Sequence, residues 1–241
     1  MNAVEILQLT KRFGERTAVN NLTLTIQKGE AFALLGVNGA GKTTTLRMLC
    51  GLISPDSGSA SVMGHPAGSA QAKAALGFSP QETAVAENLT ARENLELMAR
   101  IHGMSKAEAR RAADTQIEEL SLDEIADRRA GKLSGGWQRR LSIAMALISH
   151  PSVLILDEPT LGLDVLARRE LWNSVRSLRG KTTLLLTTHY LEEAEYLSDR
   201  IAIMAHGKLR ALGTAEELKA ISKTNTFEDA FVALAGRSEE T

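Results

Sequence analysis

A single cysteine, Cys50, stands among 241 residues. One thiol closes no internal disulfide, so a disulfide scaffold is excluded. Its setting, TLRMLCGL, reads as a buried helix position in a protein of a reducing compartment. An excess of charge of either sign is missing too: the formal net charge is -1, which leaves no global basicity to attract nucleic acid. No uninterrupted apolar run approaches the roughly 18 residues of a membrane-spanning helix. The opening MNAVEILQLTKRFGE brings in charge too early, and its apolar run is too short, for a secretory leader. Work at a membrane is therefore expected to go through a partner. Internal repeats and low-complexity tracts are also absent, and only the closing AGRSEET has the look of a frayed end. With 44% apolar and 24% charged residues, the chain has the composition of a soluble globular protein with one sizeable core.

What is present falls into two patterns. Alternation in VEILQLTKRF and NLTLTIQKG predicts two half-buried strands of an antiparallel layer, joined through the polar GERTAVN. The period then changes. AFALLG (31–36) is a continuous apolar run that ends in a glycine-rich loop and is followed by a helix, KTTTLRMLCGL, as in a parallel α/β sheet buried on both faces. Further short strands are expected at SASVM, ALGFS, SVLILD, TTLLLTT and RIAIMA. Between GFSPQ and VLILD lie roughly seventy residues with helical spacing and no strand pattern, too long for an ordinary crossover. This predicts a core of residues 1–85 and 139–222, an inserted helical lobe at 86–138 and a short helical tail at 223–241. Near 90–102, Leu95 with Met98 and Leu97 with Ile101 stand at helical spacing and are expected in the core rather than in a partner groove. The arginine pairs at 110–111, 128–129 and 139–140 read as solvated faces or helix-end charges.

The densest chemistry lies in GVNGAGKT, Gly36 to Thr43, which matches G-x-x-x-x-G-K-[ST] between an apolar strand and a helix. Glycines let successive N–H groups wrap phosphates, Lys42 can reach the β- and γ-phosphates, and the Thr43 hydroxyl can ligate Mg²⁺. SVLILDEP ends a strand with Asp157 and Glu158. Alone, such a pair is a strand-end turn with a helix cap. Beside the phosphate loop, Asp157 suits a water-mediated Mg²⁺ contact and Glu158 suits polarising an attacking water. Gly36, Gln81, Asp157 and His189 each follow an expected strand, and in an open parallel sheet the ligand crevice lies outside those ends. KLSGGWQRRLSIAMAL has the grammar of a helix start able to hold an anion, yet it lacks a lysine–threonine pair and a metal ligand of its own. It reads as half of a second phosphate site.

Six motifs in fixed order make the chain resemble the nucleotide-binding subunit of an ATP-binding cassette (ABC) transporter over nearly its whole length. GVNGAGKTT is similar to the Walker A loop, GFSPQ to the Q-loop, LSGGW to the family signature, VLILDEP to Walker B, LGLD to the D-loop and TTH to the switch loop. The resemblance implies a RecA-like P-loop NTPase fold, ATP and Mg²⁺ as ligands, and the helical lobe as bearer of the signature. It implies nucleotide contacts at Gly36, Asn38, Gly39, Gly41, Lys42, Thr43 and Thr44, with Phe13 stacked on adenine where tyrosine is commoner. Thr43, Gln81 and Asp157 would serve the metal, and Glu158, His189 and Gln81 the hydrolysis. Ser134, Gly135, Gly136 and Asp164 would meet the nucleotide of a second, identical subunit. Trp137 stands where the family commonly has glutamine, leaving the role of that position open.

TTHYLEEAE and TFEDAFVALAGR are similar to the drug- and polysaccharide-exporter branch, whose permease is a separate membrane chain. The expected protein is thus an ATPase held at the cytoplasmic face of a membrane by that permease, with no nucleic-acid partner. An ATPase of iron–sulfur assembly is the alternative from another class, and a nucleotide-binding regulatory module that does not turn over is a third reading, disfavoured by Glu158 and His189.

Overall fold

A computed structural model of the chain describes residues 1–236. The end expected to fray, 235–241, lies outside the described residues beyond Gly236. Two long strands, β1 (Asn2–Phe13) and β2 (Arg16–Gln27), form a hairpin whose connection is only Gly14 and Glu15. The polar GERTAVN is therefore mostly strand. Gly14, at φ 58, permits the tight reversal, and Arg16 to Asn20 are drawn into the ladder opposite β1.

The chain then enters β3 (Ala31–Leu35), the phosphate loop and α1 (Lys42–Leu49), followed by β4 (Ser57–Val62), β5 (His65–Pro66), α2 (Ala70–Ala74) and β6 (Leu76–Ser79). The helical segment follows as α3 (Ala91–Ile101), α4 (Lys106–Glu119) and α5 (Gly135–Leu147). Next come β7 (Val153–Asp157), α6 (Val165–Arg176), β8 (Thr183–Thr188), α7 (Leu191–Leu197), β9 (Arg200–Ala205) and β10 (Lys208–Gly213), and finally α8 (Ala215–Ser222) and α9 (Phe227–Ala235).

These elements build an antiparallel sheet in the order β2-β1-β4-β5 and a six-stranded sheet in the order β10-β9-β3-β8-β7-β6. The second is parallel from β9 to β6, with β10 antiparallel at its edge. Strand β10 had no counterpart among the sequence expectations. Its turn, His206-Gly207, has positive φ at both residues, the backbone a two-residue hairpin requires.

The continuous apolar runs are explained by alternation between two cores. Ala31, Ala33 and Leu35 of β3 join one buried cluster with the helical segment, α6, α7 and α9, while Phe32 and Leu34 join another with α1 and the antiparallel sheet. Leu154 and Leu156 against Val153 and Ile155 repeat the pattern on β7. Each such fully buried leucine or isoleucine contributes roughly 1.5–3 kcal/mol, so both faces of these strands are held by apolar burial.

Helix α3 begins at a capping box, Thr90 with Glu93. Its buried stripe is Ala91, Leu95 and Ala99, with Met98 half-buried against it. Leu97 and Ile101, expected in that stripe, are instead 42% and 68% exposed. The short alanines let the neighbouring helices approach one side of α3, and the larger pair is left on the other. Helix α5 runs unbroken across 135–147, past the boundary placed at residue 138.

Candidate active site

Because β3, β6, β7 and β8 run parallel, the residues that follow them emerge at one edge of the sheet. The loop after β3 turns through Gly39 and Gly41 at φ 82 and 102. A Cβ on Gly41 would come within 2.4 Å of the Ala18 carbonyl oxygen, and one on Gly36 within 2.4 Å of that of Met204. Only glycine lets the loop lie this close to β2 and β9 while directing its N–H groups outward. Above it opens a cavity of about 470 Å³ lined by Phe13, Asn38, Gly39, Gly41, Lys42, Thr43, Thr44, Gln81, Glu158 and His189. Phe13 reaches its rim from the end of β1 and is 52% exposed.

The floor of the cavity is a hydrogen-bonded chain of charged groups. The Lys42 ammonium donates to the Gly36 carbonyl oxygen at 2.6 Å and lies 3.1 Å from Glu158 Oε1. Glu158 Oε2 is 2.7 Å from His189 Nδ1. Thr43 and Thr187 donate their hydroxyls to Asp157 Oδ1 at 3.1 and 2.5 Å. Glu158 has φ 47, an uncommon conformation for a residue with a Cβ, and its N–H is held by both the carbonyl and the hydroxyl oxygen of Thr187. The surrounding bonds hold it there and aim its carboxylate at the cavity.

Thr43 and Gln81 on the cavity lining, with the Asp157 carboxylate in contact behind the Thr43 hydroxyl, are hard oxygen donors of the kind Mg²⁺ takes when phosphate supplies the rest. Among the described residues no group of three His, Cys, Asp or Glu side chains forms a metal cage.

The second set of expected residues does not reach this cavity within one chain. Ser134, Gly136, Trp137 and Arg140 border a separate cleft against Ala167 and Glu170 of α6. Ser134 occupies the N-cap position of α5, yet its hydroxyl makes no capping bond. A Cβ on Gly136 would lie 3.1 Å from that of Ala167, and one on Gly135 3.8 Å from Leu163 Cδ2. Arg140 stacks over Trp137 at 4.6 Å and pairs with Glu170 at 2.8 Å. Asp164, exposed at the surface, caps α6, accepting the N–H groups of Leu166 and Ala167 at 2.9 Å.

Buried charged residues that escaped sequence reading include Arg139 and Glu193. Arg139, expected on a solvated face, is 4% exposed and donates to the Pro80 carbonyl oxygen at 2.5 Å and to that of Gln81. Its place at helical spacing from Ser142 and Ile143, both buried, is the signal that could have found it. Glu193 of α7 is fully buried and accepts from the Thr160 hydroxyl at 2.8 Å and the Trp172 indole at 3.0 Å, tying the segment after Glu158 to α6 and α7. Burial pushes its pKa up, opposed by those hydrogen bonds and aided by the neighbouring Glu158 carboxylate. The Cys50 thiol is likewise buried, with its pKa pushed up to about 12 by desolvation and then by Asp157.

Comparison with known proteins bears on this geometry. The family model described as ABC transporter matches residues 19–161. A Nod factor export ATP-binding protein I of Burkholderia lata is 45% identical over 219 residues, 89% of this chain and 72% of that protein. A daunorubicin resistance ATP-binding protein of Streptomyces coeruleorubidus is 44% identical over 221 residues, 90% of this chain and 70% of that protein. Among solved structures, an ATP binding subunit of an ABC transporter superposes with a TM-score of 0.84 at 29% identity, covering 96% of this chain and 99% of that one. A dimeric ATP-binding cassette in a post-hydrolysis state, bound to ADP and Pi, gives 0.77 at 27% identity over 88% of this chain and 98% of that one. None of these proteins is named for iron–sulfur assembly.

Proposed function

The chain belongs to the ABC transporter family as an ATP-binding, ATP-hydrolysing subunit, and on that premise we propose that two copies close around ATP and drive a separate membrane permease, in the direction of export. The observation that carries the hydrolytic part is the unbroken contact from Lys42 through Glu158 to His189 at the mouth of the glycine loop. The loop N–H groups and Lys42 bind the phosphates, while Thr43, Asp157 and Gln81 would hold Mg²⁺, which would supply charge neutralisation at the phosphoryl group. Glu158 orients and polarises the attacking water, with His189 fixing the carboxylate from its other side. The lobe at 86–138 carries Ser134 toward the partner's nucleotide, while 1–85 with 139–222 form the ATP-binding core and 223–241 the tail. Export is favoured by two relatives, one named a Nod factor export ATP-binding protein and the other a daunorubicin resistance ATP-binding protein.

Phe13 supplies the base-binding surface. Aromatic–base stacking is worth roughly 1–3 kcal/mol, so Phe13→Ala is expected to weaken ATP binding by about 5- to 150-fold, whereas Phe13→Tyr keeps it. Titration with a fluorescent ATP analogue checks this. Unchanged affinity in Phe13→Ala would return the ring to a purely structural place at the end of β1.

Among the described residues no helix is long and apolar enough to cross a membrane, which fits peripheral attachment at the cytoplasmic face through the permease. The face proposed for docking surrounds the Gln81 loop and the start of the lobe, where Leu97 and Ile101 leave apolar surface uncovered. Cysteines introduced singly between 82 and 100 are expected to crosslink to a cytoplasmic segment of the permease. Cys50, buried with its thiol pKa at about 12, contributes no background. Permease crosslinks confined to sites outside 82–100 would place the docking face elsewhere.

A further inference from the structure

Arg139 is a cation in the interior with no ion-pair partner among the described residues, an expensive placement unless hydrogen bonds compensate it. Each terminal nitrogen of its guanidinium donates to the main chain of another element: the carbonyl oxygens of Pro80 and Gln81, just past the end of β6. Burial lowers its pKa, and the Asp157 and Glu193 carboxylates offset that only in part, so the charge is held at a cost that the hydrogen bonds to the main chain must answer. Because the grip is on the backbone, the Gln81 side chain stays free to line the nucleotide cavity.

The remainder of α5 is already seated on β6. A Cβ on Gly77 would come within 2.2 Å of the Ala146 carbonyl oxygen, and the buried hydroxyls of Ser79 and Ser142 are 2.9 Å apart. Those contacts end with the strand. Arg139 extends them onto the loop, and it lies five residues, about 7.5 Å of helix rise, from Ser134 at the N-terminus of the same helix.

We propose that Arg139 is a positioning residue which fastens α5 to the Gln81 loop, so that the loop sensing one ATP and the Ser134 end that meets the other ATP move as one body. This rests on the composite-site reading above and deepens it. Lysine cannot substitute, because one ammonium does not reproduce the planar fork that spans two successive carbonyls.

The test uses the full chain. Arg139→Met is expected to lower the ATPase kcat at least tenfold while the affinity of the monomer for a fluorescent ATP analogue stays within twofold. Ser79→Cys with Ser142→Cys, whose side-chain tips start 2.9 Å apart, then supplies a covalent tie between α5 and the last residue of β6, immediately before the loop that Arg139 grips. Oxidation of that pair in the Arg139→Met background is expected to restore at least half of the kcat of the oxidised pair with Arg139 present, and reduction to remove it. A merely stabilising arginine predicts that the crosslink raises the melting temperature without returning kcat. A kcat within twofold of wild type in Arg139→Met, or a verified disulfide without recovery, overturns the proposal. If Arg139→Met does not fold, Arg139→Lys decides: reduced kcat at unchanged ATP affinity supports the clamp, and wild-type kcat sinks it. Failure of the composite-site reading registers separately, in the mixing experiment with Ser134 and Lys42 variants described below.

Discussion

Glu158→Gln is expected to lower ATP turnover by about 10²–10⁴-fold, the usual contribution of a positioned general base, while ATP binding persists. The exchange preserves the shape of a side chain that is buried at the cavity floor, but it removes the charge that faces both Lys42 and His189. Loss of that charge releases Lys42 from its carboxylate partner and leaves it the Gly36 and Val37 carbonyl oxygens, so the ammonium remains available to phosphate. Affinity should therefore hold or rise as kcat falls, the pattern of an interaction made only in the transition state. Single-turnover measurement with bound ATP separates the two quantities. Wild-type turnover in Glu158→Gln would remove Glu158 from the role of base, and a parallel loss of ATP affinity would show that its pairing with Lys42 mainly builds the binding site.

Ser134→Arg and Lys42→Ala should each abolish turnover alone and recover it when mixed. The Ser134 hydroxyl makes no capping bond, so its replacement removes little helix stability, and the arginine blocks close approach of a second copy. Lys42→Ala disables the phosphate loop of its own subunit. In a two-fold dimer each signature faces the partner's loop, so a heterodimer of the two variants pairs one intact loop with one intact signature. Random exchange of equal amounts makes half of the dimers mixed, each with one competent site, and about a quarter of wild-type activity is expected if the sites turn over independently. Heterodimers without activity would place Ser134 outside a composite site. Normal turnover of Ser134→Arg by itself would reduce that residue to an ordinary helix start.

The phosphate loop, the strands around it and the carboxylate pair were legible because their signals are local. An apolar run buried on both faces, a glycine-rich loop between strand and helix, and a lysine one residue before a threonine all declare themselves within a few positions. Convergence of Gly36, Gln81, Asp157 and His189 was legible for a related reason: residues following parallel strands emerge at one edge of the sheet. Helix α3 marks the limit. Its spacing told which residues share a face, but not which face would be covered, so Leu97 and Ile101 were expected inside and lie outside.

The sequence by itself determined the elements, their order and the phosphate chemistry, because backbone preference and burial pattern act over short distances along the chain. Only the tertiary structure decided how the charges are spent. Lys42 meets Glu158, Glu193 ties the segment after Glu158 to α6 and α7, and Arg139 grips two carbonyls 58 and 59 residues away. A backbone carbonyl is the same at every position and leaves no mark in the sequence. An arginine that binds two of them therefore reads as one more surface charge until the fold shows it buried against them.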